Sequence, residues 1–343
     1  MRLLVIRTSA MGDVALTTPV LAGFSSQYPD AEIVLLTRKY FEPFFSSIPR
    51  LKFFFPDFKV RHKGIAGIFR LYRDIVRFEK FDHVIDLHDV IRSQVFRFLF
   101  MLSGVPSSVI DKGRSEKRSL VTGKKKVFLK HSVERYCDVF RKAGFPVKPE
   151  KGKCIIPSDG LLIKIETFLD HASGLNIGVA PFAKHKLKMW PEEYMVKLLG
   201  LISAGNKCRF LLFGGKEDSA RLEAFQKKVP DSVSIAGKLD LAAELALISR
   251  LDLMIAMDSS NMHLAALVGT KVISIWGGTD PMAGFGAWMQ PDSYSIRVPV
   301  EELDCRPCTI YGKGNTRRDF ECMKRLTPEV VFERMNKLKV LTQ

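Results

Sequence analysis

Residues 254–281, MIAMDSSNMHLAALVGTKVISIWGGTDP, constrain this chain more than any other stretch. Four apolar residues turn through Asp258-Ser259-Ser260-Asn261 into an apolar segment of helical length. Gly269 closes that segment, and residues 272–276 form the next apolar run. Strand, polar turn, short helix, glycine stop and strand make half of a parallel α/β unit. At such a turn the free N–H groups and partial positive charge of a helix N-terminus face out from the sheet's carboxyl edge. Open α/β sheets take their ligands at that edge. Asp258, Ser259 and Ser260 are also good helix caps, so capping alone accounts equally well for the turn.

The same rhythm runs on both sides of this stretch. Residues 3–6 read as a strand, Ser9-Ala10-Met11-Gly12-Asp13 as a turn, 14–28 as a helix and 33–36 as a strand. This βαβ order predicts a parallel, doubly wound sheet. A turn with one glycine is not the GxGxxG fingerprint of a dinucleotide site. Residues 38–58 are aromatic-rich and read as irregular. Residues 64–80 place Ile65, Ile68, Phe69, Tyr72, Ile75 and Val76 at helical spacing, with Arg70, Arg73 and Arg77 elsewhere. That pattern fits a core-facing helix with a basic solvated face, or a helix lying on an anionic membrane. A strand over 81–88, a helix over 91–102 carrying Arg92 and Ser93, and a helix from 130 to about Gly144 complete the first half. The Pro/Gly/Lys segment 145–152 and the exit through 157–160 read as a connection between domains. The second half restarts with strands at 177–180, 209–213, 233–236 and 253–257, and helices at 191–203, 220–229 and 241–249. Two α/β domains are expected, 1–157 and 158–325, with a terminal helix in 326–343 returning to the first.

A length of 343 residues supports two cores, and 46% hydrophobic with 26% charged residues excludes a disordered chain. No apolar run approaches the roughly 20 residues of a bilayer span. The start, charged at Arg2 and Arg7, is read as a first strand and not a signal peptide, which predicts a cytoplasmic protein. Six scattered cysteines do not make a disulfide scaffold. Cys305-x-x-Cys308 with Cys322 resembles a metal spacing without an evident fourth ligand, and three ordinary thiols in a loop explain it more simply. Of the +16 net charge, residues 1–150 carry 27 Lys+Arg against 15 Asp+Glu. An anionic partner is expected there: nucleic acid, an acidic lipid surface or a phosphorylated glycan. Few aromatics interrupt the basic run 111–126, which argues against stacked bases and for phosphate attraction or a solvated loop.

Three segments occur in order over nearly the whole chain: Ser9-Ala10-Met11-Gly12-Asp13, Lys188-Met189-Trp190-Pro191, and Asp258-Ser259-Ser260-Asn261-Met262-His263-Leu264-Ala265-Ala266. Together they resemble glycosyltransferase family 9, best known for the ADP-heptose:lipopolysaccharide heptosyltransferases. His131-Ser132-Val133-Glu134-Arg135, Gly214-Gly215-Lys216-Glu217 and Gly278-Thr279-Asp280-Pro281 add to the resemblance. It implies a GT-B fold, two Rossmann-like domains facing across a cleft, the first for the acceptor and the second for a nucleotide-sugar donor. It also implies metal-independent transfer with inversion, and no cofactor beyond the donor.

Inversion in one displacement needs a base for the acceptor hydroxyl and positive groups for the leaving diphosphate. Asp13 matches the family's base, on a loop after the first strand. Lys188, with Lys184 and Lys186 close by, matches the lysine on the donor phosphates. Ser259, Ser260 and His263 match positions receiving the diphosphate at a helix N-terminus, and Asp258 anchors that turn or touches the donor sugar. Glu217 matches a ribose-binding carboxylate. Thr279 completes the donor set, and Gly12, Arg92, His131 and Arg135 form the acceptor set. Heptosyltransferases carry Thr-Gly where this chain has Ser259-Ser260, which leaves adenine and heptose open. The expected acceptor is an anionic glycolipid at the inner face of the cytoplasmic membrane, with the protein peripheral to it. An epimerase of the same fold and a basic nucleic-acid-binding protein are the alternatives; no nucleic-acid recognition motif supports the latter.

Overall fold

A computed structural model describes residues 1–169, 174–315 and 318–341. It divides into unit 1, Met1–Lys112 with Ser132–Ile155, and unit 2, Gly113–His131 with Ile156–Gln343.

Unit 1 is built on five parallel strands: β1 (Arg2–Ile6), β2 (Glu32–Leu36), β3 (Leu51–Phe54), β4 (His83–Asp86) and β5 (Ser107–Val109), in the order β3-β2-β1-β4-β5. Leu4 sits between Val34 and Val84, so the centre of the sheet is aliphatic, as a parallel sheet covered on both faces requires. The first helices are α1 (Met11–Ala15), α2 (Thr18–Gln27), α3 (Gly64–Phe78) and α4 (Ile91–Leu102). Next come α5 (Arg114–Val121), which belongs to unit 2, and α6 (Ser132–Lys142). Ile68, Leu71 and Ile75 of α3, with Phe96 and Phe100 of α4, cover one layer of sheet side chains. Elsewhere α2 packs on α6, with Phe24 and Phe140 ring centroids 5.3 Å apart.

Unit 2 carries β6 (Leu175–Ala180), β7 (Cys208–Leu212), β8 (Ser232–Ser234), β9 (Leu253–Met257), β10 (Val272–Ile275) and β11 (Ser295–Ile296). All pair in parallel, in the order β11-β10-β9-β6-β7-β8. Its helices after α5 are α7 (Asp159–Ile165), α8 (Glu192–Gly205), α9 (Ser219–Gln226), α10 (Leu241–Ile248), α11 (Ser260–Val268), α12 (Glu321–Lys324) and α13 (Pro328–Lys337).

The structure departs from the sequence reading in four places. The helix expected over 14–28 is two helices, broken where the Thr17 hydroxyl bonds the Val14 carbonyl at 2.7 Å and Pro19 starts α2 afresh. Segment 38–58, read as irregular, contains β3. The basic stretch read as a loop contains α5, and residues 113–131 fold with unit 2. There Leu120 is buried with Met282, Ala283 and Val300, the Leu129 N–H donates to the Met282 carbonyl at 2.8 Å, and Lys117 Nζ lies 4.3 Å from the Phe285 ring centre. The terminal helix α13 also belongs to unit 2, where it packs on α8 and buries Val331 and Met335 in that core. The charge partition changes accordingly. Unit 1 holds 22 Lys+Arg against 14 Asp+Glu and unit 2 holds 31 against 23, a net +8 each, so the excess is not a property of the first half.

Candidate functional site

In unit 2 the chain runs from β6 outward to β7 and β8, then returns to β9 and runs outward to β10 and β11 on the other side. The strand order therefore reverses between β6 and β9, and the loops at their carboxyl ends diverge to leave a crevice. Lys188, at the end of a short 3-10 turn after β6, and Asp258, immediately after β9, meet there with Nζ and Oδ2 2.8 Å apart. The side chains are 17% and 7% exposed, whereas Lys184 and Lys186 are exposed; burial distinguishes the three lysines. Ser259 takes the extended N-cap conformation ahead of α11, and its buried hydroxyl has no hydrogen-bond partner. The Thr279 hydroxyl, on the loop after β10, is likewise buried and unpartnered. Buried hydroxyls are ordinarily satisfied, so two at one sheet edge are the mark of a polar ligand's place. His263 lies one turn into α11, 8% exposed, and Ser260 is the helix's first residue. Gly278 N–H donates to the Leu187 carbonyl at 3.0 Å, tying the loop after β10 to the Lys188 turn. Glu217, on the turn after β7, is exposed and folds back over Gly215, where a Cβ would stand 2.5 Å from its carboxylate.

A buried ion pair holds the Thr279 loop. Arg306 Nη2 lies 3.1 Å from Asp280 Oδ2, both side chains fully buried, and the guanidinium also donates to the carbonyls of Gly277, Thr279 and Val298. Burial raises the Asp280 pKa against the pull of Arg306, and burial lowers that of Arg306 against Asp280. The cysteine-bearing segment then passes the site: Gly312, at φ +78°, would put a Cβ 2.7 Å from Lys188 Cγ. Cys305, Cys308 and Cys322 are free thiols, burial pushing Cys322 up to about 11. Among the described residues no three His, Cys, Asp or Glu side chains gather as a metal site.

Unit 1 reverses its strand order between β1 and β4. Asp13 sits beyond β1 on the third residue of α1, not on a loop as expected, since the chain turns helical at Met11. Its carboxylate meets Arg7 Nη2 at 2.7 Å, and the Tyr136 hydroxyl donates to its carbonyl at 3.3 Å. Arg7 is buried and donates to the Leu87 carbonyl after β4 at 2.5 Å, so one guanidinium joins α1 to the segment after β4. His88 stands 3.2 Å from both the Thr8 and Ser9 hydroxyls. Burial, with Arg7 and Lys112 nearby, lowers its pKa to about 4. Beside it, Ile6, Leu36, Leu71 and Phe96 floor a pocket with Thr8, Arg92 and Ser93. Arg92 lies 3.9 Å over the Phe58 ring.

The expected acceptor set is divided between the two units, Gly12, Arg92 and Arg135 in unit 1 and His131 in unit 2. Gly12 is buried within α1 and Arg92 lines the pocket. Arg135 is buried on α6 and donates to the Asp111 carbonyl at 3.4 Å. His131 belongs to unit 2, with Nε2 3.0 Å from the Gly286 carbonyl and its ring 5.0 Å from Trp288. It went there with the segment 113–131. Arg7, His88, Tyr136, Asp280 and Arg306 escaped the sequence reading. Arg7 did leave a trace, a charge at the end of an apolar strand.

Two parallel α/β units, each with charged side chains collected at its strand-order reversal, make a GT-B fold. The chain belongs to glycosyltransferase family 9 (heptosyltransferase), whose model matches residues 68–309. It is 24% identical over 291 residues to the lipopolysaccharide core heptosyltransferase OpsX of Haemophilus influenzae, covering 82% of this chain and 80% of that protein. A family 9 glycosyltransferase from Veillonella parvula superposes with a TM-score of 0.77 at 18% identity, over 100% of this chain and 98% of that one. An E. coli heptosyltransferase, WaaC, solved with ADP-2-deoxy-2-fluoro heptose, superposes with a TM-score of 0.67 at 20% identity, over 98% and 100%. Family membership sets aside the epimerase and nucleic-acid readings.

Proposed function

We propose that this chain moves a heptose from ADP-heptose to a lipopolysaccharide-core acceptor, inverting the anomeric centre, without a metal ion. The observation that carries this reading is the Lys188–Asp258 pair at the unit 2 reversal, beside the N-terminus of α11 and the unpartnered Ser259 hydroxyl. The names of the curated relatives and the ligand of the E. coli structure support the choice of donor and acceptor. Lys188 and the first N–H groups of α11 meet the diphosphate, whose negative charge grows as the glycosidic bond breaks. Ser259 and Thr279 supply hydroxyl donors, Ser260 and His263 flank them, and Glu217 takes the ribose. Asp258 orients Lys188 through their ion pair. Asp13 removes the proton of the attacking hydroxyl, held in place by Arg7.

Calorimetry with ADP, UDP and GDP tests the reading. ADP binds at least tenfold more tightly than the other two. Lys188→Ala weakens ADP by roughly 30-fold, the size of one lost charge-assisted contact. Equal affinity for the three nucleotides, or an unchanged affinity in Lys188→Ala, would overturn the donor site.

A further inference from the structure

The helix pair α3 and α4 presents an apolar surface to solvent. The two helices lie side by side on the unit 1 sheet, joined where the Tyr72 ring sits 5.0 Å from Phe100 and 6.3 Å from Phe96. Their inner faces are filled by the core. On α3, Ile65, Phe69 and Val76 follow at spacings that bring them within about 40° of one another around the axis, beside the buried face. They are 76%, 49% and 41% exposed. On α4, Ile91, Phe98 and Leu102 make the same kind of stripe, 80%, 53% and 67% exposed. Of the 17 large hydrophobic residues exposed among those described, eight lie on these two helices. Core packing does not account for them, and apolar side chains gathered this way mark a contact surface.

The charges around the stripes say what the surface meets. Arg70, Arg73 and Arg77 stand exposed on the outer side of α3 and enter none of the ion pairs found among the described residues. The one acid of α3, Asp74, is taken by Arg61 and His62 at 2.6 and 3.0 Å, and α4 has no acid. A second copy of the chain meeting this face about a two-fold axis would bring arginine against arginine. An anionic bilayer satisfies both features, since the stripes enter the headgroup boundary while the arginines reach lipid phosphates.

We propose that the α3–α4 face docks this protein on a membrane rich in anionic lipid, apolar stripes inward and Arg70, Arg73 and Arg77 on the headgroups. This goes beyond the transfer reaction and does not depend on it. The unit 1 pocket draws Leu71 from α3 and Arg92, Ser93 and Phe96 from α4, so the docked helices also wall the place where a lipid-borne acceptor would be read.

The test is co-sedimentation of the full chain with acceptor-free vesicles, phosphatidylethanolamine with phosphatidylglycerol (3:1) against pure phosphatidylcholine. The protein binds the anionic vesicles at least tenfold better, and added salt weakens the binding. Phe98→Ser/Leu102→Ser loses at least tenfold on the anionic vesicles, and Arg73→Gln/Arg77→Gln loses the preference between lipids. Both variants keep the wild-type affinity for ADP and wild-type turnover on an acyl-free acceptor, so a failed docking surface is distinguishable from a failed transferase reading. Equal binding to both vesicles, no binding to either, or variants that bind like the wild type would overturn the proposal. So would a wild-type dimer that Phe98→Ser/Leu102→Ser dissociates, which would give the face to a second copy.

Discussion

Replacing Arg306 with methionine removes a cation from the interior of unit 2 while nearly keeping its volume. Arg306 is 1% exposed, and its guanidinium faces the fully buried Asp280 carboxylate and the carbonyls of Gly277, Thr279 and Val298. Breaking a buried pair from one side costs about 3–5 kcal/mol, because the remaining charge is cut off from water and keeps only Arg297, its Nε 3.7 Å from Asp280 Oδ2, and the Met282 N–H. Stranded carbonyls add roughly 1 kcal/mol each where the loop cannot turn them to solvent. A loss of about 3–8 kcal/mol is therefore expected, set by how many of the three carbonyls stay stranded, and it is a large share of the 5–15 kcal/mol by which folded proteins ordinarily exceed their unfolded states. All three tryptophans, Trp190, Trp276 and Trp288, lie in unit 2, so urea unfolding followed by tryptophan fluorescence reads this unit selectively. Adding Asp280→Asn removes the stranded charge and recovers about 2–3 kcal/mol, since asparagine still accepts from Met282 N–H. The single variant also acquires a pH signature. Asp280 already has its pKa raised by burial, and without Arg306 it rises further. The folded state then holds a proton that the unfolded state releases, so stability falls as pH rises and the deficit shrinks toward acid. A cost below about 1.5 kcal/mol, or no recovery in the double variant, would refute the view that this pair holds the Thr279 loop.

Asp13→Asn keeps the contact with Arg7 but cannot take a proton; turnover falls about 10²–10⁴-fold while ADP affinity stays within a factor of three, read by single-turnover assay and calorimetry. His88 stays neutral in the fold down to about pH 4, whereas the unfolded chain takes up a proton near its ordinary value of 6.5. The unfolded state binds the extra proton between those values, so stability drops as pH falls through that window, by up to about 2–3 kcal/mol. His88→Gln flattens that part of the pH–stability profile, and an unchanged slope would contradict it. Gly312→Ala forces a side chain into positive φ and against Lys188, lowering ADP affinity about fivefold with a stability loss of about 1–2 kcal/mol, measured by calorimetry and urea unfolding.

The sheets and most helices were legible because parallel strands write their burial as uninterrupted aliphatic runs, as in residues 3–6 and 253–257. The donor loops were legible for a related reason: Lys188, Asp258 and Ser259 stand directly beyond such runs, and the strand-order reversal brings them together. What stayed hidden depended on distant partners. Residues 113–131 show a dense surface charge and only isolated apolar residues, such as Leu120 and Leu129. Their partners, Met282 and Val300, lie about 150 to 180 positions on. Little local marked α1 as a helix either: Ala10 offers no capping side chain, α1 has only five residues, and the one local signal is Asp13, whose carboxylate accepts from the Ala10 N–H at 3.4 Å. Arg306 and Asp280 reveal their pairing only once the chain has folded back on itself.

The backbone passes from unit 1 to unit 2 after Lys112, returns at Ser132, and leaves again after Ile155. Neither unit is therefore an uninterrupted length of polypeptide. A protein cut at residue 155 would carry α5 away from Met282 and Phe285, and the remainder would expose what α5 covers. During synthesis, α5 emerges from the ribosome about 10–30 seconds before those residues exist, at ordinary elongation rates. For that interval its basic surface and Leu120 belong to no finished domain, which makes residues 113–131 the segment where chaperone capture and mutational loss of yield should concentrate.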